Sequence, residues 1–145
     1  MNHEEMIVAI ANRTHEKFLE IYKSVNNGTR VKTTTDEDWI SQHGTNQADL
    51  AKLNYFELPK DWQFERWSGA KMALDTLLQW AQDGKSLDDA FIEYASAFIH
   101  NEWLERNQYR AQEEHKLSYN QLSEEAKEKD RLFARSAVEI FENNK

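Results

Sequence analysis

The sequence predicts a mainly α fold, and three observations carry that prediction. Four Gly and one Pro among 145 residues are too few for the frequent turns of an all-β sandwich or barrel. Apolar residues recur at three-four spacing along four long segments, the period of a helix with one buried face. The spacing of several residues then repeats between the two halves of the chain. The expected architecture is a single domain over 1–145 made of two helix–loop–helix halves, about 3–82 and 86–142. These pack as a four-helix arrangement, with room for a short β-hairpin in the first loop.

The first helix is expected over 3–25, where Ile7, Ala11, Thr14, Phe18 and Ile21 share one face. Asn27-Gly28 then supplies a left-handed stop. Residues 26–58 form the irregular part. Thr29 to Thr35 is β-branched and alternating, as in a strand or hairpin arm. Asp36-Glu37-Asp38-Trp39 and His43-Gly44-Thr45-Asn46 read as turns. A connection this long in a small domain is functional or wrapped on an anchor, and Trp39 is the obvious anchor. Pro59 suits the first turn of the second helix, which runs to Gln82 before Gly84 and buries Trp67, Ala70, Leu74, Leu77, Leu78 and Ala81. Ser86, with Asp89 three residues on, is expected to cap the third helix. Its buried stripe reads Leu87, Phe91, Tyr94, Phe98 and Trp103, and it frays near Asn107. Ser123 caps the fourth helix, which aligns Ala126, Asp130, Phe133, Ala137 and Ile140.

Composition narrows the function. The net charge is −8, with 18 basic against 26 acidic residues, so direct binding to a nucleic-acid backbone is not expected. Without Cys there is no disulfide, no thiolate nucleophile and no Cys-ligated zinc. No apolar run approaches the ~20 residues that span a bilayer, and Glu4 and Glu5 stand where a signal peptide would be basic. A soluble cytoplasmic protein with no membrane partner and no cofactor is expected.

The internal repeat is the most informative feature. His15-Glu16-Lys17-Phe18-Leu19-Glu20 is echoed by His100-Asn101-Glu102-Trp103-Leu104-Glu105. Leu53-Asn54-Tyr55-Phe56-Glu57-Leu58-Pro59 is echoed by Leu117-Ser118-Tyr119-Asn120-Gln121-Leu122-Ser123, after which Ala70 and Ala73 align with Ala134 and Ala137, and Asp75 with Glu139. The offset between the two blocks differs because the first loop is longer. This unit resembles the ryanodine receptor repeat (RyR) domain. The second half carries the closer match, in Ala97, His100, Trp103, Tyr119, Leu122, Ser123, Lys127, Asp130 and Arg131. The first half is looser: Phe18 stands for the Trp, and Glu65-Arg66 or Arg66-Trp67 for the Asp-Arg step. The resemblance implies a helical fold and a binding role of bacterial or phage type, without a known enzyme activity.

Catalysis is not expected, and no residue is assigned to it. No Ser lies in a Gly-x-Ser-x-Gly elbow, no two Gly are close enough for a phosphate loop, and acidic pairs such as Asp88-Asp89 sit at helix starts. His15 and His100 have no carboxylate or second His one turn away, so no metal site is expected. Each is read as a partly buried His whose ring nitrogen bonds a carbonyl or hydroxyl and fixes the Leu-x-Tyr loop. His115, beside Glu113 and Glu114, reads as solvated. Lys127, Arg131 and Arg135 make one stripe on the last helix, suited to fork a phosphate or carboxylate, with Tyr119 or Trp103 as an apolar wall. Glu124, Glu128 and Glu139 are equally placed to absorb that stripe in ion pairs. If Arg131 is a structural pin, the address shifts to Arg66, Trp62 and Trp39; Tyr109-Arg110 is a further aromatic–Arg pair. The expected function is a non-catalytic binding protein, a sensor or sponge for a small anionic or nucleotide-type ligand. The alternative is an acidic protein–protein module that covers a basic protein surface, such as a phage-encoded inhibitor of a host defence protein. Homo-oligomerisation is left open.

Overall fold

The structure, a computed structural model, describes residues 1–108 and 116–145. Among these lie five α-helices: α1 (His3–Tyr22), α2 (Glu37–His43), α3 (Lys60–Gln82), α4 (Asp89–Asn107) and α5 (Glu124–Asn143). Strands β1 (Val31–Thr33) and β2 (Gln47–Asp49) pair antiparallel, with Val31 opposite Asp49, Lys32 opposite Ala48 and Thr33 opposite Gln47. The fold is mainly α, with the small hairpin in the first loop. None of the described helices is long and apolar enough to cross a membrane.

Local chemistry explains the ends of the elements. Asn2 and Glu5 close a capping box at the start of α1. The helix stops at Tyr22, a little before the expected end, and Asn26, Asn27 and Gly28 then all take positive φ. Asp36-Glu37-Asp38-Trp39 is a helix start rather than a turn: the Asp36 carboxylate accepts the Trp39 N–H, and left-handed Gly44 ends α2. Seven residues are too few to show a helical period, so the cap and the stop resemble isolated turns. Trp39 is the anchor expected of it, buried, with its indole N–H on the Glu57 carbonyl (3.3 Å) and its ring stacked on His43.

Two expectations for α4 need correction. Asp88, not Ser86, supplies the cap, through the Phe91 N–H, while the Ser86 carbonyl accepts the Trp80 indole N–H at 2.7 Å. The buried face is Phe91, Ile92, Ala95, Ser96, Ile99 and His100, whereas Tyr94 and Phe98 are exposed. The helix is apolar on more than one side, and close packing selected the side with small residues over the aromatic one. Ile21 and Leu78, also expected inside, are exposed.

Helices α3 and α5 form the central pair, and each packs against both α1 and α4. Ala70, Ala73, Ala134 and Ala137 have no exposed surface. Their small side chains let the helices approach closely, and the second helices of the two halves thereby become the spine of the core.

Candidate functional site

Each half closes its loop over a buried histidine. His15 Nε2–H donates to the Leu53 carbonyl (2.8 Å) and His100 Nε2–H to the Leu117 carbonyl (2.7 Å). Two residues on, a 3₁₀ turn follows in each half, closed by Asn54 with Glu57 in one and Ser118 with Gln121 in the other. Both turns bury their Tyr, Tyr55 and Tyr119. The histidines thus have the loop-fixing role expected from the sequence.

The second ring nitrogen separates the halves. His15 Nδ1 accepts from Arg66 Nε at 3.2 Å, a bond only a neutral imidazole can receive. Burial, then the Arg66 charge, pushes its pKa down to about 4. His100 Nδ1 instead faces Asp130 at 3.6 Å, and burial pushes the Asp130 carboxyl up to about 7. Among the described residues no three His, Asp or Glu converge as a metal site.

The basic stripe on α5 is already occupied by protein carboxylates. Arg131 forks onto Glu93 of α4 through Nε (2.7 Å) and Nη2 (2.9 Å), and its Nη1 reaches Glu124 (2.9 Å). Tyr119 donates its hydroxyl to the same Glu93 (3.0 Å), and burial followed by that carboxylate raises its pKa to about 12. Arg135 pairs with Glu128. Lys127 lies over the Tyr119 ring and near Glu124 (3.7 Å). Trp103 stacks on His100. These residues come together as expected, but as an ion-pair network that ties α5 to α4.

The first-half group is also engaged. Arg66 is buried, with Nη2 on the Tyr22 hydroxyl (2.9 Å) and its guanidinium 4.1 Å from the centre of the Phe18 ring. Trp62 donates its indole N–H to the Thr33 carbonyl (3.1 Å), fastening β1 to α3. Trp39 sits in the core as described. Tyr109, Arg110 and His115 lie outside the described residues.

A group that sequence reasoning missed lies around Tyr22, at the end of α1. Helices α1 and α5 run antiparallel: Arg13 and Lys17 meet Glu139, and Phe18 meets Phe133. One turn further along each helix stand Tyr22 and Lys129, and Lys129 feels the charges of Arg30 and Arg66. Arg30 stands over the Tyr22 ring, 6.0 Å from its centre, and Arg66 holds its hydroxyl. Arg30 and Lys32 alternate along extended chain, so both side chains leave the same face of the hairpin. Among the described residues no carboxylate ion-pairs with Arg30, Lys32, Arg66 or Lys129. Asp49 bonds the Arg30 backbone N–H (2.8 Å), and Glu125 and Asp130 act on Lys129 only from longer range. Lys32 and Lys129 are both held below the ordinary lysine range, first by loss of water around the amine and then by the Arg30 charge. The sequence does show Arg30 and Lys32 alternating. The approach of Lys129 and Arg66 depends on helix packing and left no local signal.

The matching pole of the molecule is neutralised. There Glu65, at the position in its half that Lys129 holds in the other, bonds Arg106 (2.9 Å) and Asn107 (3.3 Å) at the end of α4. A shallow groove of about 230 Å³ opens on the α3 surface, lined by Phe64, Trp67, Ser68, Lys71, Met72 and Asp75, with Glu102 of α4. No protein-family model, curated protein or solved structure matches the chain.

Proposed function

We propose that this is a non-catalytic binding protein for a small anion, held where the hairpin meets the ends of α1 and α5. One observation carries the reading: Arg30 and Arg66 both meet Tyr22, and among the described residues no carboxylate ion-pairs with either, or with Lys32 and Lys129, in a chain of net charge −8. Like charges that depress one another weaken the fold, and acidic residues abound that would have relieved them. An anionic ligand supplies the missing charge. The resemblance of both halves to the ryanodine receptor repeat, a binding module, supports the same class of function.

The test is thermal melting in phosphate against chloride at equal ionic strength. Phosphate should raise the melting temperature with increasing concentration, as a ligand of the folded state does. Arg30→Gln and Lys129→Gln should each remove most of that shift, whereas Arg135→Gln should leave it. An equal shift in all three variants overturns the reading.

A second reading, an acidic protein–protein module, is favoured by the exposed aromatic side chains of α3 and α4, among them Phe64 at 53% and Phe98 at 42% exposure. Phe64→Asp would then abolish association with the partner and leave the phosphate shift intact.

A further inference from the structure

Apart from the anion site, we propose that the outer face of α3 pairs with the same face of a second copy of this chain. The two-fold axis crosses the helix between Lys71 and Asp75. Phe64, Ser68, Lys71, Asp75 and Leu78 recur at alternating steps of four and three, so they form one stripe along α3. The two ends of this stripe are complementary in shape. At one end Phe64 and Trp67, stacked with 6.2 Å between ring centres, wall the groove of about 230 Å³, and Ser68 adds a small side chain to its lining. At the other end Leu78 stands 39% exposed. Ser68 and Leu78 are each five residues from a midpoint level with Ala73, about 7.5 Å along the helix. Antiparallel pairing about that point sets each copy's Leu78 over the other's groove, a knob for each hole.

Charge selects a second copy as the occupant. With a net −8 on each chain, two copies repel over most of their surface. On this face the carboxylates are already matched by cations. Lys71 bonds Asp75 (2.6 Å) and His3 also reaches it (3.3 Å), while Arg106 pairs with Glu102 at the groove's edge and with Glu65 (2.9 Å). Lys71 and Asp75 stand one turn apart with opposite charge. A two-fold axis between them brings each Lys71 to the other copy's Asp75, whereas a parallel arrangement would set like charges together. Beside the stripe, Trp80, Tyr94 and Phe98 touch in sequence (4.9 and 5.0 Å between centres) and carry the apolar surface onto α4.

Analytical ultracentrifugation across the micromolar range reads the pairing directly. The wild type should move with concentration from 17.2 kDa towards twice that mass. Leu78→Asp should weaken pairing at least about tenfold, and melting curves confirm that each variant is folded. Lys71→Glu leaves only carboxylates at the axis and Asp75→Lys only ammonium groups, so each alone should weaken pairing at least about tenfold. Mixed in equal amounts, these two variants should form a heterodimer, because each substituted side chain then meets one of opposite charge. A wild type that stays monomeric overturns the proposal, even if the face takes a different protein. A dimer that survives Leu78→Asp, or a mixture of the two charge variants that stays monomeric, overturns this face and its two-fold arrangement.

Discussion

Gly69 of α3 lies directly against Phe133 of α5, and the two hold the same position in their respective halves. A Cβ on Gly69 would stand 2.6 Å from the nearest ring carbon of Phe133. Where a unit packs on its own copy, like positions meet, and two large side chains cannot both occupy the contact. Here one half keeps the ring and the other removes its side chain altogether.

Gly69→Ala should therefore destabilise the fold, although the change raises helix propensity. The helical gain is about 1 kcal/mol, while overpacking a tight contact costs about 1–3 kcal/mol. Phe133 is itself wedged edge-on to Phe18, so its ring has little freedom to withdraw. A lower urea midpoint in Gly69→Ala, restored in part by adding Phe133→Leu, checks this. An unchanged or higher midpoint for the single variant contradicts it.

The first-half histidine makes stability depend on acid. His15 stays neutral in the fold, with its pKa lowered to about 4 from 6.5. Its contribution is fully present above 6.5 and is lost as pH falls through about 4, because the unfolded chain takes up a proton that the fold refuses. The loss amounts to about 3 kcal/mol. Denaturation curves between pH 7 and 4 should show a steep decline in the wild type and a shallower one in His15→Gln.

In the second half the slope reverses. Asp130 has a pKa raised from 3.8 to about 7, so its share of stability is present below 3.8 and is lost as pH rises through about 7. Asp130→Asn should gain on the wild type steadily between pH 4.5 and 7.5. An ion pair with His100 strong enough to keep the carboxylate charged would give the opposite trend, which unfolding midpoints across that range would reveal.

The fold was largely legible in the sequence because its determinants are local. Ser123 caps α5 through the Ala126 N–H, Pro59 precedes α3, and Asn26, Asn27 and Gly28 turn the chain after α1. The role of His15 and His100 was legible from their repetition alone. The proposed anion site was not. Arg131 advertises itself by helical spacing, but its partner Glu93 comes from another helix. Lys129 sits among acidic neighbours in sequence and finds Arg30 and Arg66 only when α5 lies against α1 and α3.

Arg131 should behave as a structural pin. Its side chain is only 14% exposed and forks onto Glu93, which also receives the Tyr119 hydroxyl. Arg131→Ala should lower stability by about 1.5–3 kcal/mol, the scale of hydrogen bonds to a charged group. A double-mutant cycle with Glu93→Gln should return a coupling of about 1 kcal/mol. Phosphate binding should survive the change; its loss would restore α5's outer stripe as the ligand address.

The two Tyr turns are closed by Asn54 with Glu57 in one half and by Ser118 with Gln121 in the other. Neither residue of the pair is shared, yet in both turns the later side chain accepts the backbone N–H of the earlier residue. Descent from a common ancestor would therefore survive in this chain as a grammar of donors and acceptors after the vocabulary had changed. Further copies of the unit are then best sought by function at each position: a short oxygen-bearing side chain, a Tyr immediately after it, and a Glu or Gln two residues beyond, placed ahead of a helix.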